Sequence, residues 1–164
     1  MTMNRRGKSR SQPVSAVRRA FWGISLTALV GGLGLLVTQQ SAAADIVVYK
    51  SPSCGCCGKW VKHMENAGFS VEVENRRDLQ VIKRELGVPG RMQSCHTAKV
   101  GNYFIEGHVP ADLVERMLDE KPDIKGLAVP GMPMGSPGME GPRQDPYDVM
   151  AIGNDGRERV FARR

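Results

Sequence analysis

The stretch DIVVYKSPSCGCCGKWVKHMENAG, residues 45–68, decides the fold. DIVVYK is a short β-branched run of the kind that forms a buried strand. SPSCGC follows as a turn. From Cys56 or Cys57 onward, Cys57, Trp60, Val61, Met64 and Ala67 recur with the period of a helix that has one apolar face, and Gly68 supplies the stop. A strand that runs into a helix this way puts the cysteines at the amide end of the helix. There the dipole and free N–H groups favour a thiolate.

Toward the C-terminus, FSVEVE (69–74) alternates as a strand does, and Asp78 is placed to cap a helix DLQVIKREL ended by Gly87. VPGRMQSC is a loop that carries Cys95. HTAKV and YFIEG flank Gly101-Asn102 and predict a β-hairpin over 96–107. PADLVERMLDE predicts a third helix with Pro110 in its first turn and Leu113, Val114, Met117 and Leu118 on its apolar face. The expected order is β-α-β-α-β-β-α. Residues 121–146, with AVPGMPMGSPGMEGP, lack an apolar period and read as a loop. YDVMAI and RERVFA predict a second hairpin around Asn154-Asp155-Gly156.

Residues 1–44 differ from the rest. Arg5, Arg6, Lys8, Arg10, Arg18 and Arg19 precede the apolar run AFWGISLTALVGGLGLLV (20–37), and Ala42 and Ala44 have the spacing of an A-x-A site. This is the pattern of an export signal, with cleavage expected after Ala44 and a mature chain of Asp45–Arg164. The alternative is an uncleaved anchor, which the four glycines in the run and its length near the lower spanning limit disfavour. VRRAFW (17–22) resembles a twin-arginine signal, so both the Sec and twin-arginine routes stand. Residues 45–164 hold 17 Lys+Arg and 17 Asp+Glu, so the whole excess of positive charge lies before the cut. The basic composition is therefore no argument for nucleic-acid binding. No membrane insertion is expected after cleavage.

The four cysteines are Cys54, Cys56, Cys57 and Cys95, all beyond the cut. Export to an oxidising compartment allows two structural disulfides. But a Cys54–Cys57 bridge closes a very small loop and constrains little of the unfolded chain. Clustering favours chemistry over stapling.

A strand, then C-x-x-C at a helix start, then β-α-β-β-α resembles the thioredoxin/glutaredoxin fold. Two features depart from it. Cys56 occupies a middle position of the motif. Ser94-Cys95-His96-Thr97 stands where those enzymes carry a cis-proline before the third strand. The combination of C-x-C-C, S-C-H-T and GLAVPGMPMGSPGME is similar to a closer family, the CopG-like copper-resistance proteins. That resemblance implies a thioredoxin-like fold over 45–164, periplasmic copper binding and a role in copper tolerance. It places the metal on Cys54, Cys56, Cys57 and Cys95.

The residue chemistry points the same way. Cu(I) is soft and prefers thiolate and thioether ligands. Several neighbouring sulfurs can bridge metal ions, so a multinuclear Cu(I) cluster is expected, with Cu(I)/Cu(II) redox activity as an extension. Met132 and Met134 lie off any apolar face, in the Pro/Gly loop, and are candidate ligands beside His96; Met139, His108 and His63 rank lower. The rival metal is zinc, but its usual sites use two separated C-x2-C pairs. The rival function is a periplasmic thiol–disulfide oxidoreductase with Cys54 as nucleophile and Cys57 as resolving thiol. Expected partners are copper ions and other periplasmic copper-handling proteins.

Overall fold

The structure is a computed structural model that describes residues 46–164. The expected export signal (1–44) and its cleavage site lie outside the described residues. Among the described residues no helix is long and apolar enough to cross a membrane.

The elements in chain order are β1 (Ile46–Lys50), α1 (Gly55–Asn66), β2 (Val71–Asn75), α2 (Gln80–Glu85), a single 3₁₀ turn at Gly90–Met92, β3 (His96–Val100), β4 (Tyr103–Glu106), α3 (Ala111–Glu120), β5 (Ile124–Ala128), β6 (Asp148–Gly153) and β7 (Glu158–Arg163). All seven strands form one mixed sheet in the order β2-β1-β3-β4-β5-β6-β7. β1 pairs parallel with β2 and β4 parallel with β5; the remaining pairs are antiparallel.

Period-2 alternation distributes the side chains between two layers. On one face, Trp60 and Met64 of α1 and Leu113, Val114 and Met117 of α3 pack on Ile46, Val48, Ala98, Val100, Ile105 and Leu127. On the other, Val88 and Met92 pack on Phe104, Ala128 and Ile152. Trp60 is fully buried and its indole N–H donates to Val109 O at 2.8 Å. Truncating a residue buried this way typically costs about 3–5 kcal/mol.

The helix stops fall on glycine as expected: Gly68 (φ 95°) follows α1 and Gly87 (φ 71°) follows α2. Asp78 sits one residue before the helix cap, which is Leu79, and its carboxylate accepts the Gln80 N–H at 2.9 Å. The hairpin turn at Gly101-Asn102 and the turn at Asn154–Gly156 are both present.

One expectation fails. Residues 121–146 are not loop throughout, because they contain β5. This strand lies between β4 and β6, with Ile124, Gly126, Leu127 and Ala128 all buried and Lys125 its single polar residue, so it shows no alternating pattern. Gly126 reads as a loop residue but is required by packing, since a Cβ there would lie 2.1 Å from Phe104 O. The loop proper runs from the end of β5 to β6.

Candidate metal centre

Four segments meet at the site: the N-terminus of α1, the turn before β3, the turn between β4 and α3, and the Met/Pro/Gly loop after β5. Cys54 is the N-cap residue of α1, with extended backbone, and Cys57 faces inward one turn later, fully buried. The two form a disulfide, with Cα atoms 5.4 Å apart. Cys56 and Cys95 are free thiols, both half-buried. The Cys56 Sγ lies 3.5 Å from the Cys54 Sγ. All four sulfurs lie within 4.8 Å of one another.

Cys95 reaches the cluster because β3 pairs with β1, whose end leads into α1. Its Sγ is 3.0 Å from His108 Nε2 and 3.4 Å from His96 Nδ1. Cys95, His96 and His108 thus form a second donor group that shares Cys95 with the first. His96 belongs to β3 and turns toward the α1 layer, its ring 4.5 Å from that of Trp60. Strand alternation alone would separate Cys95 from His96, but Cys95 precedes the strand and its side chain turns back.

Burial favours the neutral form of each donor while no metal is bound. Burial pushes the Cys95 thiol up to about 11, with the adjacent Cys56 adding to the rise. Burial holds His96 well below its usual value, and the charges of His108 and Lys83 push the same way. His108 is also lowered by burial, although the Pro137 carbonyl opposes this. Its Nδ1–H donates to Pro137 O at 2.6 Å, which fixes the tautomer and leaves Nε2 as a lone pair facing Cys95. Metal-binding imidazoles are commonly held this way by a carbonyl on the far nitrogen. His96 Nε2 is buried with no hydrogen-bond partner among the described residues, a costly arrangement in a site without a further ligand. Thiolate, thioether and neutral imidazole donors together suit a soft or borderline metal ion, with the Cys95 proton released as the metal binds.

The loop closes the site from above. Met132 is half exposed and its Sδ lies 4.0 Å from Cys56 Sγ. Gly138 (φ 88°) lies against the first turn of α1, where a Cβ would meet Cys56 O at 2.7 Å. Met134 instead runs toward Gly141, where a Cβ would lie 2.4 Å from its Cε. His63 is not brought to the cluster; its Nε2 accepts the Ala111 N–H at 3.0 Å.

His108, ranked below His96 as a candidate ligand, is placed by the structure against Cys95. The signal that finds it is strand register. Thr97 pairs with Glu106 in the β3–β4 hairpin, and two further steps outward set Cys95 opposite His108.

A mixed α/β domain with a thiol cluster at a helix N-terminus defines a protein able to hold metal. A family profile described as "Protein of unknown function, DUF411" matches residues 92–139, which include Cys95, His96, His108, Met132 and Met134. No curated protein matches. Two solved structures, described as "Copper resistance protein copG" in forms 1 and 2, are each 46% identical with a TM-score of 0.71, covering 74% of this chain and 98% of that chain. The chain belongs to the CopG copper-resistance family.

Proposed function

We propose that this chain is an exported, periplasmic copper-binding protein that holds Cu(I), as a multinuclear cluster, on Cys54, Cys56, Cys57 and Cys95. In this reading residues 1–44 are the export signal, cut after Ala44, and 45–164 is a thioredoxin-like domain adapted to metal. His96 and His108 complete the coordination from below, and Met132 from the loop. Met134 serves only if the loop rearranges on loading. The observation that carries the reading is the convergence of four cysteine sulfurs within 4.8 Å, three from one helix turn and one from a distant loop. Copper is favoured over zinc by the thioether beside the thiols.

The Cys54–Cys57 disulfide supports the redox extension. Oxidation of that dithiol to the disulfide yields two electrons and two protons, enough to convert two Cu(II) to two Cu(I). The same bridge favours one other reading, a thiol–disulfide oxidoreductase acting on exported proteins. A copper titration and an insulin-reduction assay separate the copper reading from the oxidoreductase. The reduced protein is titrated anaerobically with Cu(I) against a chromophoric chelator, and bound copper is counted by native mass spectrometry. Several ions per chain, lost in Cys56→Ser and Cys95→Ser, support the copper reading. Absence of tight copper, together with insulin reduction that survives Cys56→Ser, supports the oxidoreductase. Equal retention of zinc, with unfolding on chelation, points to a structural zinc module instead.

A further inference from the structure

A buried ion pair lies beneath the Cys95 turn, on the sheet face away from His96. Lys83 of α2 and Glu106 of β4 are 2% and 0% exposed, and the Lys83 ammonium donates to Glu106 Oε1. Thr97 of β3 closes the set. Its hydroxyl donates to Glu106 Oε2 at 2.6 Å and accepts from Lys83 Nζ at 2.9 Å. The one remaining donor to the carboxylate among the described residues is a backbone group, the Ser94 N–H, which reaches Oε1 at 2.6 Å.

Ser94 is the link to the metal centre. It directly precedes Cys95 in the chain, and its Oγ lies 4.0 Å from Cys95 Sγ. That hydroxyl also donates to Gly131 O, the residue before Met132. One residue thus ties both the distal thiol and the thioether loop to the carboxylate. Gly107 leaves room for this contact. Its φ is 70°, and a Cβ there would lie 2.7 Å from Ser94 Cβ, Ser94 Oγ and Val129 O.

Stability is a poor reason for such a pair. The desolvation of two charges offsets most of their attraction, and well-packed apolar residues often do as well. A site that needs Cys95 in one place gives a better reason, because outer hydrogen bonds that orient ligands set metal affinity.

We propose that Glu106 is a positioning residue for the thiol cluster: its carboxylate, held by Lys83 and Thr97, fixes the Ser94 N–H and thereby the place of Cys95 and of the Met132 loop. The proposal rests on the reading of the cluster as a copper site. Its prediction about Cys95 holds without any metal.

The test replaces all three buried polar groups by apolar ones, Lys83→Met with Thr97→Val and Glu106→Leu, beside Glu106→Gln alone. Three quantities are read in the reduced full chain: thermal stability, the iodoacetamide alkylation rate of each cysteine by peptide mass spectrometry, and Cu(I) affinity by chelator competition. The triple variant is expected to melt close to wild type. Its Cys95 alkylation rate should rise roughly tenfold, the rates of Cys54, Cys56 and Cys57 should stay level, and Cu(I) affinity should fall about 10–100-fold. Glu106→Gln should move Cys95 in the same direction by less, and it decides the matter if the triple variant does not fold. A folded variant with wild-type Cys95 reactivity and wild-type affinity overturns the positioning role. A wild-type protein that binds no Cu(I) overturns the copper reading instead, while the Cys95 rates still decide the clamp.

Discussion

Cys95 and His108 face each other across the open end of the β3–β4 hairpin, Sγ to Nε2 3.0 Å. The far nitrogen of His108 is tied to Pro137 O, so the ring cannot turn away without breaking a partly buried hydrogen bond. His108→Ala is therefore expected to lower Cu(I) affinity by at least about tenfold, the scale on which even outer partners act. His63→Ala should leave affinity unchanged, because His63 binds the α3 backbone and not the cluster. Chelator competition on the two variants makes the comparison.

The Cys54–Cys57 disulfide withholds two of the four thiols, and only thiolates ligate. Protein isolated with this bridge closed should bind fewer copper ions than the same protein after reduction. Native mass spectrometry before and after anaerobic reduction reads the difference. Equal copper content in both states would rule out Cys54 and Cys57 as ligands.

Gly138 lets the Met loop rest on the first turn of α1. Gly138→Ala adds a methyl group 2.7 Å from Cys56 O in a backbone conformation that disfavours it, and overpacking of this kind costs about 1–3 kcal/mol. The loop, not the core, should yield. The expected result is weaker Cu(I) binding with a small fall in melting temperature. Gly126→Ala, against Phe104 O in the sheet, should show the reverse emphasis, with a large fall in melting temperature.

His63 gives the protein a pH dependence that can be isolated. Burial lowers its pKa, with Glu140 and Asp112 opposing. Its neutral Nε2 accepts from Ala111 N at the positive end of α3. A lowered folded-state pKa means that the unfolded chain binds the proton more readily. This stabilisation is thus full above the unfolded value near 6.5 and is lost as pH falls below it. His63→Gln keeps an acceptor and removes the titration, so urea midpoints measured between about pH 7 and 5 should fall less steeply in the variant. An identical slope in both proteins would show that His63 does not titrate differently on folding.

Much of the scaffold was legible in the residues. The alternation in FSVEVE, the 3.6-residue period around Trp60 and Met64, and the glycines after α1 and α2 are local signals, set within one element by side-chain spacing and backbone freedom. They placed the first four strands and all three helices, and Cys54, Cys56 and Cys57 at a helix start. The second hairpin was legible for the same reason. β5 was not, because a strand covered on both faces carries no alternation, and Gly126 there answers to Phe104, a residue on another strand.

The candidate site divides along the same line. Sequence alone determined which donors are present and that three of them share one helix turn, because covalent neighbours need no fold to bring them together. The motif resemblance already set Cys95 with them; only the tertiary structure decided how Cys95 reaches them, that Met132 and not Met134 approaches Cys56, and that His108 is a partner of Cys95. Those choices depend on strand register, on where a loop can lie against α1 without a Cβ at Gly138, and on a carboxylate 12 residues from Ser94. Each is a contact between segments far apart in the chain. Residue type and local period carry no record of such contacts.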